Sequence, residues 1–186
     1  MSNNLKETIN NLQKDFSANP ENAVVQYEST SILKEGLQSN VQLRDHKLIV
    51  DEPKSFGGKD EGPSPVELIL AALATCQEIT YKTFATALGI NLECVSVNLN
   101  GTLDLQGFLG LNKNTRPGFQ YISGNVDIKS SSPQSEIDKL IDTVNEHCPV
   151  LDILTKGVPI KLFQKVSLNT SVNSNRTEQT NGTRVA

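Results

Sequence analysis

Apolar residues at Leu5, Ile9, Leu12 and Phe16 recur in steps of four, three and four, the spacing of one helical face, and predict a short amphipathic helix ending before Asn19-Pro20. From Ala23 to Val50 the period changes. Val24-Val25-Gln26-Tyr27, Val41-Gln42-Leu43 and Lys47-Leu48-Ile49-Val50 read as extended segments, with turn candidates at Glu35-Gly36 and Asp45-His46, so a meander of two or three antiparallel strands is expected. Residues 51–65 hold three Pro and three Gly and form a loop. Ser64-Pro65-Val66-Glu67 then places Ser at an N-cap, Pro at the first helical position and Glu at the third, a capping box that opens a helix running to Leu88, where Gly89 stops it. The first half of that helix, Val66 to Ala74, is apolar nearly all round and so calls for protein on every side; it is expected to be the central buried helix, with Cys76 near its middle. Strands follow over Leu92–Leu105 and Phe119–Lys129, joined by a long turn region from Gly107 to Gly118. A second helix opens at Ser132-Pro133, carries Ile137, Leu140, Ile141 and Val144 as its apolar stripe, and stops at His147-Cys148-Pro149. A short helix, Pro149 to Leu154, and a final strand, Pro159 to Leu168, complete the body, and the polar residues 169–186 are expected to form a disordered tail. The expected organisation is an N-terminal extension over residues 1–22, one folded domain over 23–168, and the tail.

Composition narrows the chemistry. A chain of 186 residues is the size of one domain with its own core. Aromatics make up 5% and Trp is absent, which argues against a stacking platform for single-stranded nucleic acid, and a net charge of −4 argues against binding a phosphate backbone or an anionic membrane surface. The sequence has no run of about 18 apolar residues and a polar N-terminus, so neither a membrane span nor a secretory signal is expected, and the cytoplasm is the expected location. Three cysteines are too few, and odd in number, for a disulfide framework; in a reducing compartment they are structural thiols or chemistry. Cys76, Cys94, Cys148, His46 and His147 show no metal-ligand spacing, and neither a metal nor a cofactor is expected.

Two motifs stand out: Gly57-Gly58-Lys59-Asp60-Glu61-Gly62-Pro63-Ser64-Pro65-Val66-Glu67-Leu68 leading into Ala71-Ala72-Leu73-Ala74-Thr75-Cys76, and later His147-Cys148-Pro149-Val150. Together with the order of elements, over roughly Val24 to Leu168, they resemble the OsmC/Ohr superfamily of small bacterial thiol proteins, named for osmotically inducible protein C and organic hydroperoxide resistance protein. The resemblance implies an α+β fold in which antiparallel sheets wrap two long central helices of an intertwined homodimer, with each active site at the subunit interface. It also implies a thiol peroxidase cycle, in which Cys76 would attack an organic hydroperoxide to give a sulfenic acid, Cys148 would condense with it to a disulfide, and an external dithiol would reduce the pair. Cys94 has no counterpart in that scheme.

A peroxidatic thiol must be largely ionised near neutral pH, while a free Cys has a pKa of about 8.5 that apolar burial raises. Cys76 therefore requires a cation or donor. The resemblance implies an Arg from the N-terminal sheet held by a Glu at the start of the central helix, and here the sequence departs, with Val66 where that Glu stands. Glu67 is the neighbouring candidate, but nine steps of about 100° put it on the far side of an ideal helix from Cys76, and its capping role accounts for it without catalysis. Arg44 is the one candidate arginine in the N-terminal sheet, with a solvated strand end as its plainer role. Glu78 and His147 are near the two cysteines in sequence. Taken alone, Cys76 also reads as a small apolar side chain packed in a buried helix. Cys148, followed by Pro149, sits at a helix N-terminus, where free amides favour a thiolate. Two functions stay open: an organic hydroperoxide reductase, or a homodimer that binds an apolar small molecule at the subunit interface without turnover.

Overall fold

The computed structural model describes residues 2–167. Its elements run α1 (Ser2–Ala18), β1 (Thr30–Leu33), β2 (Ser39–Leu43), β3 (His46–Val50), α2 (Pro65–Leu88), β4 (Leu92–Leu103), α3 (Leu105–Phe108), β5 (Phe119–Ser130), α4 (Gln134–His147) and α5 (Pro149–Lys156). The architecture is α+β, with one antiparallel sheet in the order β1-β2-β3 and a separate long hairpin of β4 and β5. The expected tail, residues 169–186, lies outside the described residues.

The core forms where α2 and α4 pack together and β4 lies against α2. Tyr81, Ala85, Ile90, Leu92, Ile137, Leu140 and Val144 are its buried members, with Phe84, Val95, Ile128 and Ile141 packed around them. Leu140 and Val144 are wholly buried, and side chains of that kind contribute about 1.5–3 kcal/mol each by leaving water. The stripe at 137, 140, 141 and 144 thus fixes how α4 rotates against α2, and so which way the chain points where α4 ends, at Cys148. The amphipathic α1 packs on α2 and buries Ile9.

Three expectations need correction. Val24–Tyr27 is not a strand; the first strand is Thr30–Leu33. Thr30 pairs with Gln42 in antiparallel register, so Tyr27 would fall opposite Asp45, in the turn that already reverses the chain at Arg44-Asp45, and a strand there would run past the end of the sheet. Val24, Val25 and Tyr27 are accordingly exposed. Residues Pro159–Ser167 form no strand either, despite their alternation, because a strand exists only when paired and this segment has no partner strand among the described residues; Leu168 lies outside them. Val158, Ile160, Leu162, Phe163 and Val166 all face solvent. Finally, α2 is not surrounded by protein within one chain, since Ile69 is 37% and Ile79 67% exposed.

The loop between β3 and α2 is built around one buried carboxylate. Asp51 is 1% exposed; its Oδ1 accepts the N–H of Glu52 at 2.8 Å, and its Oδ2 accepts those of Lys59 at 3.0 Å and Glu61 at 3.3 Å. The chain wraps so closely that a Cβ on Gly58 would lie 1.8 Å from the Glu52 carbonyl oxygen, and one on Gly62 would lie 2.2 Å from that of Ile49. These two glycines of the first motif are therefore steric requirements of the loop. Burial pulls the Asp51 carboxyl upward, but the N–H groups of Glu52, Glu61, Lys59 and Asp60 outweigh it and hold the group below the ordinary carboxylate value. With a depressed folded pKa, the stability that Asp51 adds is complete above the unfolded value of about 3.9 and is lost as pH falls through the folded one. Asp51→Asn puts an N–H₂ donor among three N–H donors. Hydrogen exchange at the Lys59 and Glu61 amides should accelerate by at least about tenfold in that variant, and unchanged protection there would remove Asp51 from this role.

Candidate functional site

The start of α2 is set by the capping box expected from Ser64 and Glu67. The Ser64 hydroxyl accepts the Glu67 N–H at 3.4 Å, and the Glu67 carboxylate accepts the N–H and the hydroxyl of Ser64 at 2.7 and 2.8 Å. These two donors of Ser64 hold the Glu67 carboxyl below its usual value. A cap of this kind is worth about 1 kcal/mol. The geometry gives Glu67 the capping role; its carboxylate is engaged at the helix start, nine residues before Cys76.

Cys148 is at once the C-cap of α4 and the N-cap of α5. Its N–H donates to the Val144 carbonyl at 2.9 Å, and its carbonyl accepts the Asp152 N–H at 3.0 Å. Pro149 enforces the break, because proline lacks the N–H that would continue α4 and disfavours helical backbone in the residue before it. Cys148 adopts φ −76°, ψ 111°, and its side chain turns inward to complete burial.

There it meets the middle of α2. The Sγ atoms of Cys148 and Cys76 are 3.4 Å apart, with Cys148 as the hydrogen-bond donor, although 72 positions separate the residues in sequence. Cys76 is half-buried and Cys148 fully buried, so approach from solvent is through Cys76. Burial pushes the Cys148 thiol up, the Leu151 N–H draws it back, and the hydrogen bond and charge of Cys76 push it up again, with a smaller downward pull from the Val150 N–H; the net direction is upward. The amides at the start of α5 do reach this sulfur, as its position before Pro149 leads one to expect. The expected preference for thiolate does not follow, because desolvation is larger than the pull of two amides. The Thr80 hydroxyl donates to the Cys76 carbonyl at 2.7 Å.

The other candidates lie elsewhere. Arg44 sits exposed at the tip of the β2–β3 hairpin in left-handed backbone, φ 53°, and among the described residues its guanidinium makes no hydrogen bond or ion pair; its carbonyl accepts from the Gln42 side chain. No Lys or Arg hydrogen-bonds to either sulfur among the described residues. Glu78 is half-buried on α2 and forms no hydrogen bond or ion pair among the described residues. The His147 ring stacks on Phe84, centroids 5.3 Å apart, and ties the end of α4 to α2. Cys94 is exposed on β4, opposite Lys129. Sequence reasoning missed Asp51 and Thr80; the only available sign of Asp51 was an acidic residue closing an apolar strand just before the Gly/Pro loop. No helix among the described residues is long and apolar enough to cross a membrane.

Comparison with known proteins bears on the family and the fold. A model of the family described as OsmC-like protein matches residues 58–163, which include both cysteines of the pair. The hydroperoxide reductase of Mycoplasma pneumoniae is 25% identical over 145 residues, covering 76% of this chain and 96% of that protein. Among solved structures, the OsmC-like protein of Mycoplasma pneumoniae is similar with a TM-score of 0.61 at 24% identity, over 72% of this chain and 89% of that one. An organic hydroperoxide resistance protein OsmC of Legionella pneumophila is similar with a TM-score of 0.55 at 23% identity, over 74% and 95%.

Proposed function

The chain belongs to the OsmC-like protein family, and from that premise we propose that it reduces organic hydroperoxides with Cys76 as nucleophile and Cys148 as resolving thiol. The observation that carries the reading is the 3.4 Å contact between the two sulfurs. The Cys76 thiolate attacks one oxygen of R–O–O–H, the O–O bond breaks, and the alkoxide takes a proton to leave as R–OH, with Cys76 oxidised to a sulfenic acid. The Cys148 sulfur then attacks the sulfenic sulfur; the S–O bond breaks, and the Cys148 proton leaves with the hydroxyl as water. An external dithiol reduces the disulfide and restores both thiols. The peroxide-related name of the Mycoplasma relative supports the reaction class.

A homodimer completes the site. Among the described residues of one chain, 27 large apolar side chains are exposed, against a buried apolar set of 11 that includes the small Ala85 and Cys148. Those beside Cys76 on its own helix, Ile69 seven residues before and Ile79 three after, lie on roughly the same face as the sulfur. A second copy covering that face turns it into an apolar pocket that favours an organic hydroperoxide over hydrogen peroxide. Arg44, brought across from the second copy, is the candidate cation for the Cys76 thiolate, and Glu67 serves by holding the start of α2. Sedimentation of the reduced protein at micromolar concentration should give the mass of two chains, and a monomer at that concentration would remove the pocket.

The test of activity is consumption of cumene hydroperoxide coupled to oxidation of a dithiol, with formation of a sulfenic acid that a dimedone-type reagent traps. Val66 at the Glu position favours one other reading, an apolar-ligand binder without turnover. An inert Cys76 that forms no sulfenic acid under excess hydroperoxide would decide for it.

A further inference from the structure

The same two sulfurs define a ligand geometry that has nothing to do with peroxide. A single atom bonded to both must have a bond angle that fits the 3.4 Å separation. A linear centre would need bonds of half that distance, about 1.7 Å, far shorter than a metal–thiolate bond of about 2.3 Å. A tetrahedral centre at about 2.3 Å would hold its sulfurs near 3.75 Å and would need two further ligands, and among the described residues no three His, Cys, Asp or Glu are grouped to hold a metal ion. A pyramidal three-coordinate centre with a near right angle at the bonds needs bonds of about 3.4 Å divided by √2, roughly 2.4 Å, close to the length of a bond from a soft, thiophilic element to thiolate. It needs only one more group, which the ligand itself brings.

We propose that Cys76 and Cys148 form a chelating site for a trivalent organoarsenical, R–As(OH)₂, captured as a cyclic dithioarsenite. Two As–S bonds form and two As–O bonds break. The two thiol protons leave with the two hydroxyls as water, and no electron is transferred, so no oxidant or reductant takes part. Cys76, the half-exposed member, makes the first bond, and Cys148, already in contact, closes the ring. The chelate is the source of affinity, since the second bond forms within the molecule at high effective concentration. Cys94, exposed on β4, serves as a built-in comparison because it offers a single thiol.

The probe is phenylarsine oxide with the reduced full-length chain. One arsenical should bind per chain, two of the three thiols should disappear from an Ellman titration, and the adduct should be released by 2,3-dimercaptopropanol but not by an equal concentration of a monothiol. Cys94→Ser should bind as the natural chain does. Cys76→Ser and Cys148→Ser should each bind at least about a hundredfold more weakly. If either variant fails to fold, peptide mapping of the adduct on the natural chain stands in its place, with the arsenic expected on Cys76 and Cys148 together. Adduct on Cys94, or capture resistant to monothiol in either single variant, would overturn the proposal. Capture requires no peroxide, so a chain that binds the arsenical without reducing hydroperoxide sinks the peroxidase alone, and one that turns over peroxide without chelating sinks this site alone.

Discussion

Cys76→Ser is expected to lower hydroperoxide consumption by at least about a thousandfold, the scale seen when a nucleophile is removed from a site whose other groups act only through it. The physical reason is narrow. Attack on an O–O bond requires a polarizable anion at neutral pH, and a serine hydroxyl is neither ionised nor soft. Nothing else in the chain substitutes. Cys94 is exposed on β4, and Cys148 is fully buried with its thiol pushed up by desolvation, so each lacks either partner or access. Cys94→Ser should therefore leave turnover unchanged, which makes it the control for nonspecific thiol oxidation. The measurement is steady-state consumption of an organic hydroperoxide by the reduced variant, with circular dichroism to verify folding. Activity within tenfold of the natural chain would end the assignment of Cys76. A serine at a half-buried position removes little volume, so loss of activity with an intact spectrum reports chemistry and not collapse.

What makes Cys76 special was only partly legible in its neighbourhood. The cap at Ser64 and Glu67, the proline at the first helical position and the glycine stop at Gly89 are local devices, and the helix begins and ends where they say. The α4 stripe was equally plain, because it repeats with the helical period. The contact between Cys76 and Cys148 was not, since no local pattern reports on a residue 72 positions away; it could be anticipated only from two motifs that occur together in a known family. Once α4 is seen to bury Val144 against α2, the contact follows from packing, because Cys148 is one turn further along the same face. The failures have the opposite cause. Val24–Tyr27 and Pro159–Ser167 carry strand-like patterns, but a strand is a property of two segments, and neither finds its partner within the described residues. The apolar first half of α2 asked for protein on all sides and receives it on some. All three mismatches concern surfaces that one chain leaves open. Asp51 was illegible for another reason, since its role is to accept backbone N–H groups eight and ten residues ahead, and backbone donors leave no mark in side-chain identity.

Cys148→Ser should separate the two halves of the cycle. The first turnover needs only Cys76, so one equivalent of hydroperoxide per chain should still be consumed. The second half then fails, because resolution in the natural chain is an intramolecular step between sulfurs already 3.4 Å apart, which need to close by only about 1.4 Å to reach the disulfide distance of about 2.05 Å. No local unfolding is required to bring them together, and an external thiol at millimolar concentration cannot match the effective concentration of a pre-positioned one. Steady-state turnover should fall by at least about a hundredfold. The stranded sulfenic acid should be trapped by a dimedone-type reagent and, under excess hydroperoxide, should progress to sulfinic acid, whereas the natural chain resolves before a second oxidation. Because a serine hydroxyl at a fully buried position risks an unmet hydrogen bond costing about 1–3 kcal/mol, Cys148→Ala is the companion variant and should behave alike in mass spectrometry of the oxidised product. The pH dependence gives an independent check. Attack by Cys148 requires its thiolate, and its thiol lies above the ordinary value, so the rate of disulfide formation in a single turnover should still be climbing past the pH of about 8.5 at which a free thiol is already half ionised. A rate that levels off below that pH, or a Cys148→Ser variant with full turnover and no sulfinic product, would show that some other group resolves the sulfenic acid.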